Sequence, residues 1–143
     1  MAEFVNNPIQ TVEQGQNVLL DASIPCNKGY VLHRPGSGIL TLRGIVNNAC
    51  SCFARYQVTF NSNIAIPTGG TVEEISIALA VDGEPMQTSR ARVTPAAVEN
   101  YFNVTSTAII TVPRGCCYTI AVENVSGQDI NVQNANLTVS RIA

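Results

Sequence analysis

Cysteine has the most reactive side chain in this sequence, because a thiol can bind a metal, attack a substrate or form a disulfide. Four of the five cysteines stand in two close pairs and the fifth is alone: Cys50 with Cys52, Cys116 with Cys117, and Cys26. If both pairs lie at strand ends on one rim of the fold, the four could form disulfides or a four-thiolate zinc site. The odd total leaves at least one thiol for an intermolecular bond or for the free state.

The spacing within the pairs favours disulfides or packed thiols over a metal site. Zinc-binding cysteines are usually separated by about two or four residues, and adjacent or alternate cysteines cannot easily aim at one tetrahedral centre. On a strand, Cys116 and Cys117 would face opposite sides, which suits one core thiol or internal bridge and one thiol available to a neighbouring chain. We therefore expect disulfides or packed thiols, without metal binding or catalysis, at Cys26, Cys50, Cys52, Cys116 and Cys117.

The only histidine, His33, lacks a local partner for catalysis. The nearby GSG at Gly36–Gly38 does not have the glycine spacing of a nucleophile elbow, and no sequence signature joins His33 to a cysteine. The acidic residues are scattered and do not alternate as calcium ligands do in an EF-hand loop. Charged residues are 13% of the chain, which leaves few groups for a catalytic cleft. We predict that the chain is not an enzyme and needs no cofactor.

The small number of charges also limits which partners the chain can bind. The net charge is −2 and the eight basic residues are scattered, so we expect no binding to nucleic acid. The apolar runs are far shorter than the roughly 20 residues that span a bilayer, and residues 1–12 lack the basic and apolar regions of a signal peptide. We expect synthesis in the cytoplasm and no membrane insertion. Lys28 is the only lysine, and because lysines normally keep exposed strand edges from pairing, this composition favours assembly.

Alternation of apolar and polar residues predicts β-strands from about Leu40 onward. In RYQVTF the large apolar side chains share one face: Tyr56, Val58 and Phe60. In ISIALAV a large apolar face alternates with a small one formed by Ser76, Ala78 and Ala80. Asp82–Gly83 follows at once and predicts a tight hairpin, because both residues tolerate positive φ. The segment PAAVENYF, residues 95–102, fits either one helical turn that begins at Pro95 or a loop followed by a strand.

The order of these strands resembles the jelly roll of tumour necrosis factor and of the complement C1q globular head, and more closely its bacterial and phage relatives. The matching stretches run from Cys52 to the C-terminus: ARYQVTFNSNIAIP, TGGTVEEISIALAVDGEPM, TSTAIITVPRGCCYTIAVENVSGQDI and NANLTVSRIA. The likeness implies a single-domain, all-β jelly-roll sandwich of about 8–10 antiparallel strands. Residues 36–143 would form the head, and residues 1–35 an N-terminal arm and first strand of the same domain.

The resemblance further implies a homotrimer, because trimers of this superfamily pack flat faces and aromatic residues about a threefold axis. The candidates for these subunit contacts are Tyr56, Ser76, Ala78, Ala80, Tyr101, Phe102 and Tyr118. The alternative is that the aromatic residues fill the core of the single chain, and the sequence does not separate the two.

The function implied is structural: a trimeric capsid decoration or head-fibre module of a phage-like particle or bacterial surface, acting through protein–protein contacts. It would lie on a virion or an extracellular surface, and residues 1–14 would contact a capsid or fibre protein. Two alternatives stay open. One is a receptor- or carbohydrate-binding module at a fibre tip, with ENVSGQD and NSNIAIPTGG as its rims. The other is a self-polymerising fibre subunit cross-linked by its cysteines.

Overall fold

Two antiparallel β-sheets face each other across one hydrophobic core. The computed structural model describes residues 2–24, 30–33, 36–46 and 50–142. Sheet A contains, in spatial order, β10 (Phe102–Pro113), β6 (Phe53–Ala65), β12 (Ile130–Arg141), β1 (Ala2–Asn6) and β3 (Ala22–Ile24), with β2 (Gln10–Val12) also paired to β12. Sheet B contains β4 (Val31–His33), β5 (Leu40–Arg43), β11 (Cys117–Asn124), β7 (Ile75–Val81) and β8 (Glu84–Pro85), with β9 (Ala91–Val93) also paired to β7.

The strand alternation read from the sequence is what builds the core. On β6 the side chains of Tyr56, Val58 and Phe60 are fully buried, whereas Arg55 and Gln57 are exposed. Because successive side chains of a strand point to opposite faces, one sheet face can be apolar while the other faces solvent. The two-layer, all-β prediction is confirmed.

The hairpin after β7 also forms where the sequence predicts it. Val81 pairs with Glu84, and the two residues between them, Asp82 and Gly83, have φ of 51° and 86°. Asp82 accepts bonds from the backbone amide and hydroxyl of Thr119 at 2.9 and 3.1 Å, which ties the turn to β11. An Asp-Gly pair suits this turn because few other residues adopt two successive positive φ values without strain.

The number of strands differs from the expectation. The described residues contain twelve strands instead of about eight to ten, because several strands are only two or three residues long. The segment at 95–102 takes the second of its two alternatives, a loop before a strand: Glu99 has a φ of 60°, which a right-handed helix does not allow, and β10 begins at Phe102. A short 3₁₀ helix lies instead at Gln87–Ser89, where the buried Ser89 hydroxyl accepts a bond from the amide of Leu79.

The N-terminal residues are part of the sandwich. β1 pairs with β12 over five residues, and the Phe4 side chain is buried in the core against the His33 ring. Cys26, one of the predicted disulfide or packed thiols, lies outside the described residues.

The sandwich has two ends of different character. The cysteine end comprises residues 43–46, 50–55 and 111–118, where β6 begins opposite the last residue of β10. The loop end comprises residues 13–17, 66–74, 94–101 and 125–129. β11 connects the two, since it starts at Cys117 and finishes at Asn124.

Candidate functional site

The outward face of sheet A is a broad surface of neutral polar side chains. Its members on β6, β10 and β12 are Gln57, Thr59, Asn61, Asn63, Asn103, Thr105, Thr107, Thr111, Asn136, Thr138 and Ser140. Many bond to one another across the strands: Thr105 to Asn61 at 3.1 Å, and Asn103 to Asn63 at 3.2 Å. Polar groups that already bond to each other lose little when a partner displaces water from them. A partner can therefore cover this face at a small cost in free energy.

Large apolar side chains stand on the same face near the cysteine end. Phe53, Ile109 and Ile142 are 42%, 57% and 47% exposed. The Arg55 guanidinium lies over the Phe53 ring at 5.2 Å, and the Arg55 carbonyl accepts a bond from the Ile142 amide at 2.9 Å. Ile109 lies opposite Gln57, the next outward residue of β6. We call Phe53, Ile109 and Ile142 the apolar patch. A group of exposed apolar side chains on an otherwise neutral face is typical of a protein-interaction surface.

The cysteine pairs lie together at one end, as their proposed role requires. The carbonyl of Cys52 accepts a bond from the Arg114 amide at 2.8 Å, and that of Cys116 accepts one from the Gly44 amide at 2.8 Å. These segments are tightly packed, since a Cβ on Gly44 would lie 2.2 Å from the Pro113 carbonyl oxygen. The close backbone approach needs glycine at this position.

The four described cysteines are exposed, and no disulfide joins any two of them. Both members of the Cys116–Cys117 pair are exposed, and the pairing of these thiols in disulfides stays a prediction. Across the described residues, no three or more His, Cys, Asp or Glu side chains are arranged to hold a metal ion.

A cleft of about 420 Å³ opens at the loop end. Residues 67–71 line one side, and Gln128 and Asp129 the other, so the two loops predicted as rims do meet. Most polar groups of these two loops already form hydrogen bonds within the chain. The Gln128 side chain bonds to both the amide and the carbonyl of Thr71, at 2.9 and 2.6 Å, and Asp129 accepts a bond from the Gln14 amide at 3.2 Å.

Tyr56, predicted as a subunit contact, lies in the core of the single chain. Its side chain is fully buried and its hydroxyl donates to the Arg43 carbonyl at 2.5 Å. The tyrosine therefore has no surface to offer a neighbour, and it fits the alternative that the sequence left open.

The small-residue face of β7 is also covered within the chain. Ser76, Ala78 and Ala80 are exposed by 2% or less. The Ser76 hydroxyl accepts a bond from the Arg90 guanidinium at 2.9 Å, because the chain returns along β7 after the hairpin.

Glu123 on β11 lies opposite Ala78 of β7. Burial raises the pKa of Glu123 above its ordinary value, and the nearby Glu84 carboxylate raises it further, though less strongly.

The remaining predicted contacts lie nearer the surface. Tyr101 and Tyr118 are half-buried, and Tyr118 packs against the core. Phe102 is 41% exposed at the loop end, opposite Ile64 of β6. Their role between subunits stays a prediction.

The apolar patch was missed by the sequence reasoning, although one signal for it exists. In TSTAIITV, Ile109 and Ile110 are adjacent, so one of the two must leave the core face of a strand. A large apolar residue on the outward register is that signal, and it is Ile109 that faces outward.

No protein-family model and no curated protein matches the sequence. Among solved structures, the fold superposes on the globular domain of zebrafish complement 1qA with a TM-score of 0.61 and 13% identity, covering 96% of this chain and 94% of that one. It superposes on the Eiger TNF of S. frugiperda with a TM-score of 0.67 and 12% identity, covering 100% of this chain and 92% of that one. The chain shares the jelly-roll fold of these two structures.

This confirms the jelly-roll fold that the strand order predicted, whereas the bacterial or phage branch of the superfamily stays a prediction. The C-terminal sugar-binding domain of EclA also aligns, with a TM-score of 0.41 and 17% identity over 94% of this chain and 80% of that one. That likeness is too loose to bear on function.

Among the described residues, no helix has the length and apolar character needed to cross a bilayer.

Proposed function

We propose that this chain is a non-enzymatic structural module that forms a homotrimer through the outward face of sheet A. It would act through protein–protein contacts on a phage-like particle or a bacterial surface. The observation that carries the proposal is the apolar patch of Phe53, Ile109 and Ile142 on a neutral face whose polar side chains bond to one another.

The energetics of this face favour association. Full burial of a large aliphatic or aromatic side chain is worth about 1.5–3 kcal/mol, and each patch residue has roughly half of its surface left to bury. Covering the patch would thus contribute about 2–4 kcal/mol per copy before the cost of association. The described strands of the face carry few charges, chiefly Arg55 and Glu3. Glu3 accepts a bond from the Asn136 side chain, whereas the Arg55 guanidinium lies over the Phe53 ring within the patch, so its desolvation would reduce the gain.

A capsid or fibre protein remains the partner that we propose for the assembled module. Residues 1–14 were the candidate contact, and β1 and β2 within them lie at the margin of sheet A beside β12. A second protein can contact β1 away from the loop end, whereas β2 adjoins that end through the bond between the Asn124 side chain and the Val12 carbonyl.

The alternative of a receptor- or carbohydrate-binding tip module rests on the cleft at the loop end. The meeting of residues 67–71 with Gln128 and Asp129 supports it. Two features weaken it: Gln128 and Asp129 already bond within the chain, and none of the described residues that line the cleft is aromatic and able to stack on a sugar.

The native mass of the protein tests the proposal. Light scattering under reductant should give about three times the chain mass of 15.2 kDa. Ile109→Lys should shift the protein to a monomer at micromolar concentration, because an ammonium group buried at the interface lacks a partner. The matched control is Val72→Lys at the loop end, where Val72 is 52% exposed, and it should keep the native mass. A wild-type monomer, or two variants that behave alike, would contradict the proposal.

A further inference from the structure

We propose that the exposed cysteines form disulfides between neighbouring copies of this chain within one assembly. This inference rests on the proposed trimer and adds a covalent link to it. The site is the cysteine end, where Cys52, Cys116 and Cys117 are all exposed and unbonded to each other. The partner is a second copy of the same end.

The position of the cysteines relative to the apolar patch points to a second copy as the partner. Cys52 directly precedes Phe53, a member of the patch. Phe53 pairs with Pro113, and the turn from Pro113 to Cys116 is closed by a bond from the Cys116 amide to the Pro113 carbonyl at 3.0 Å. A neighbour that packs on the patch would therefore bring its own cysteine end to the same side of the assembly.

Charge at this end favours disulfide exchange with an anionic reagent. The residues of the cysteine end, 43–46, 50–55 and 111–118, include Arg43, Arg55 and Arg114 and no Asp or Glu. A positive surface raises the local concentration of a negatively charged reactant. Glutathione disulfide, which carries carboxylates, is such a reactant.

The reaction is two successive exchanges. A thiol of one copy loses its proton, and the thiolate attacks glutathione disulfide, forming a protein–glutathione disulfide and releasing one glutathione thiolate, which takes up that proton. A thiolate of the neighbouring copy then attacks the protein sulfur of this mixed disulfide and releases the second glutathione, which is protonated in turn. Overall two protein thiols are oxidised, one glutathione disulfide is reduced to two thiols, and one disulfide joins the copies.

The test uses the full chain, purified under reductant and then incubated with glutathione disulfide. Denaturing gels without reductant should show covalent dimers and trimers, and mass spectrometry should find peptides that join cysteine ends. The triple variant Cys52→Ser, Cys116→Ser and Cys117→Ser should lose these species at least tenfold while keeping the native mass. Ile109→Lys, with its cysteines intact, should cross-link several-fold more slowly at equal concentration.

The outcomes separate this inference from the proposed function. A trimer under reductant whose oxidised form contains only intrachain disulfides or bound glutathione would overturn the inference and leave the trimer standing. A ladder of covalent species running past the native mass would overturn it as well, in favour of the cross-linked fibre. A monomer under reductant would instead remove the assembly on which both statements depend.

Discussion

Replacement of Asn124 by alanine should destabilise the loop end more than replacement of any exposed asparagine. The Asn124 side chain is fully buried at the end of β11. Its Nδ2 donates to the carbonyls of Val12 and Gln128 at 3.0 and 2.9 Å, and its Oδ1 accepts from the Ser126 amide at 2.9 Å. Two of these bonds close the turn after β11, and the third joins it to Val12, 112 positions away in sequence.

The expected cost follows from those three bonds. A typical intramolecular hydrogen bond contributes about 1 kcal/mol, and a buried partner left without one adds a further penalty. Asn124→Ala removes all three and leaves two carbonyls and one amide without side-chain partners, so the free energy of unfolding should fall by about 2–4 kcal/mol. For a chain of this length the melting temperature should fall by on the order of 10 °C.

Asn124→Asp sharpens the test. It keeps the acceptor for Ser126 but places an oxygen against the carbonyls of Val12 and Gln128, and its negative charge would be buried. At neutral pH it should therefore destabilise the fold at least as much as alanine, and acidification that protonates the new carboxyl should recover part of the loss.

Urea unfolding followed by circular dichroism measures these changes, at one chain concentration because assembly couples to stability. The matched control is Asn100→Ala, at an exposed position of the loop end, which should change the free energy by less than about 0.5 kcal/mol. Equal effects of Asn124→Ala and Asn100→Ala would refute the reasoning.

Two further substitutions test other parts of the description. Tyr56→Phe should lower the free energy of unfolding by about 1–2 kcal/mol by removing the bond to the Arg43 carbonyl, with no change in native mass by light scattering, whereas a subunit contact would lower the mass. Glu123→Gln should flatten part of the pH dependence of stability. Because the pKa of Glu123 is raised in the folded state, its contribution is fully present below the unfolded value of 4.5 and is lost as pH rises through the folded value. Urea unfolding between about pH 4 and pH 7 should show a smaller loss for Glu123→Gln than for Glu13→Gln, and equal losses would exclude this assignment.

The strand pattern could be predicted from the sequence because the period of two is a local property. The faces of β6 and β7 follow from alternation alone, and so does the turn at Asp82–Gly83. Alternation shows which side chains share a face, but it does not show what covers that face. The sequence therefore predicts a subunit contact at the small face with Ser76, whereas in the fold the returning chain covers that face with Arg90.

The long-range contacts needed the tertiary structure. Asn124 reads as part of a glycosylation sequon, NVS, yet its amide group is bonded to Val12, a residue 112 positions away. The two cysteine pairs lie together only if their strands end on the same rim, which the sequence does not determine. The bond from the Arg114 amide to the Cys52 carbonyl shows that they do. Neither contact leaves a signal in local composition.

The separation of the two ends explains why one fold can join a covalent link and a binding surface. β11 runs for eight residues from Cys117 to Asn124, which spans roughly 25 Å. A disulfide at the cysteine end would therefore leave the cleft of residues 67–71 and Gln128 open to solvent. Because the patch residue Ile109 lies on sheet A and faces away from the core, association can bury it without touching either the cleft or Asn124. A Cys116 variant should then change only the covalent link, and an Asn124 variant only the loop end. Ile109→Lys should weaken association and thereby also slow the formation of the link.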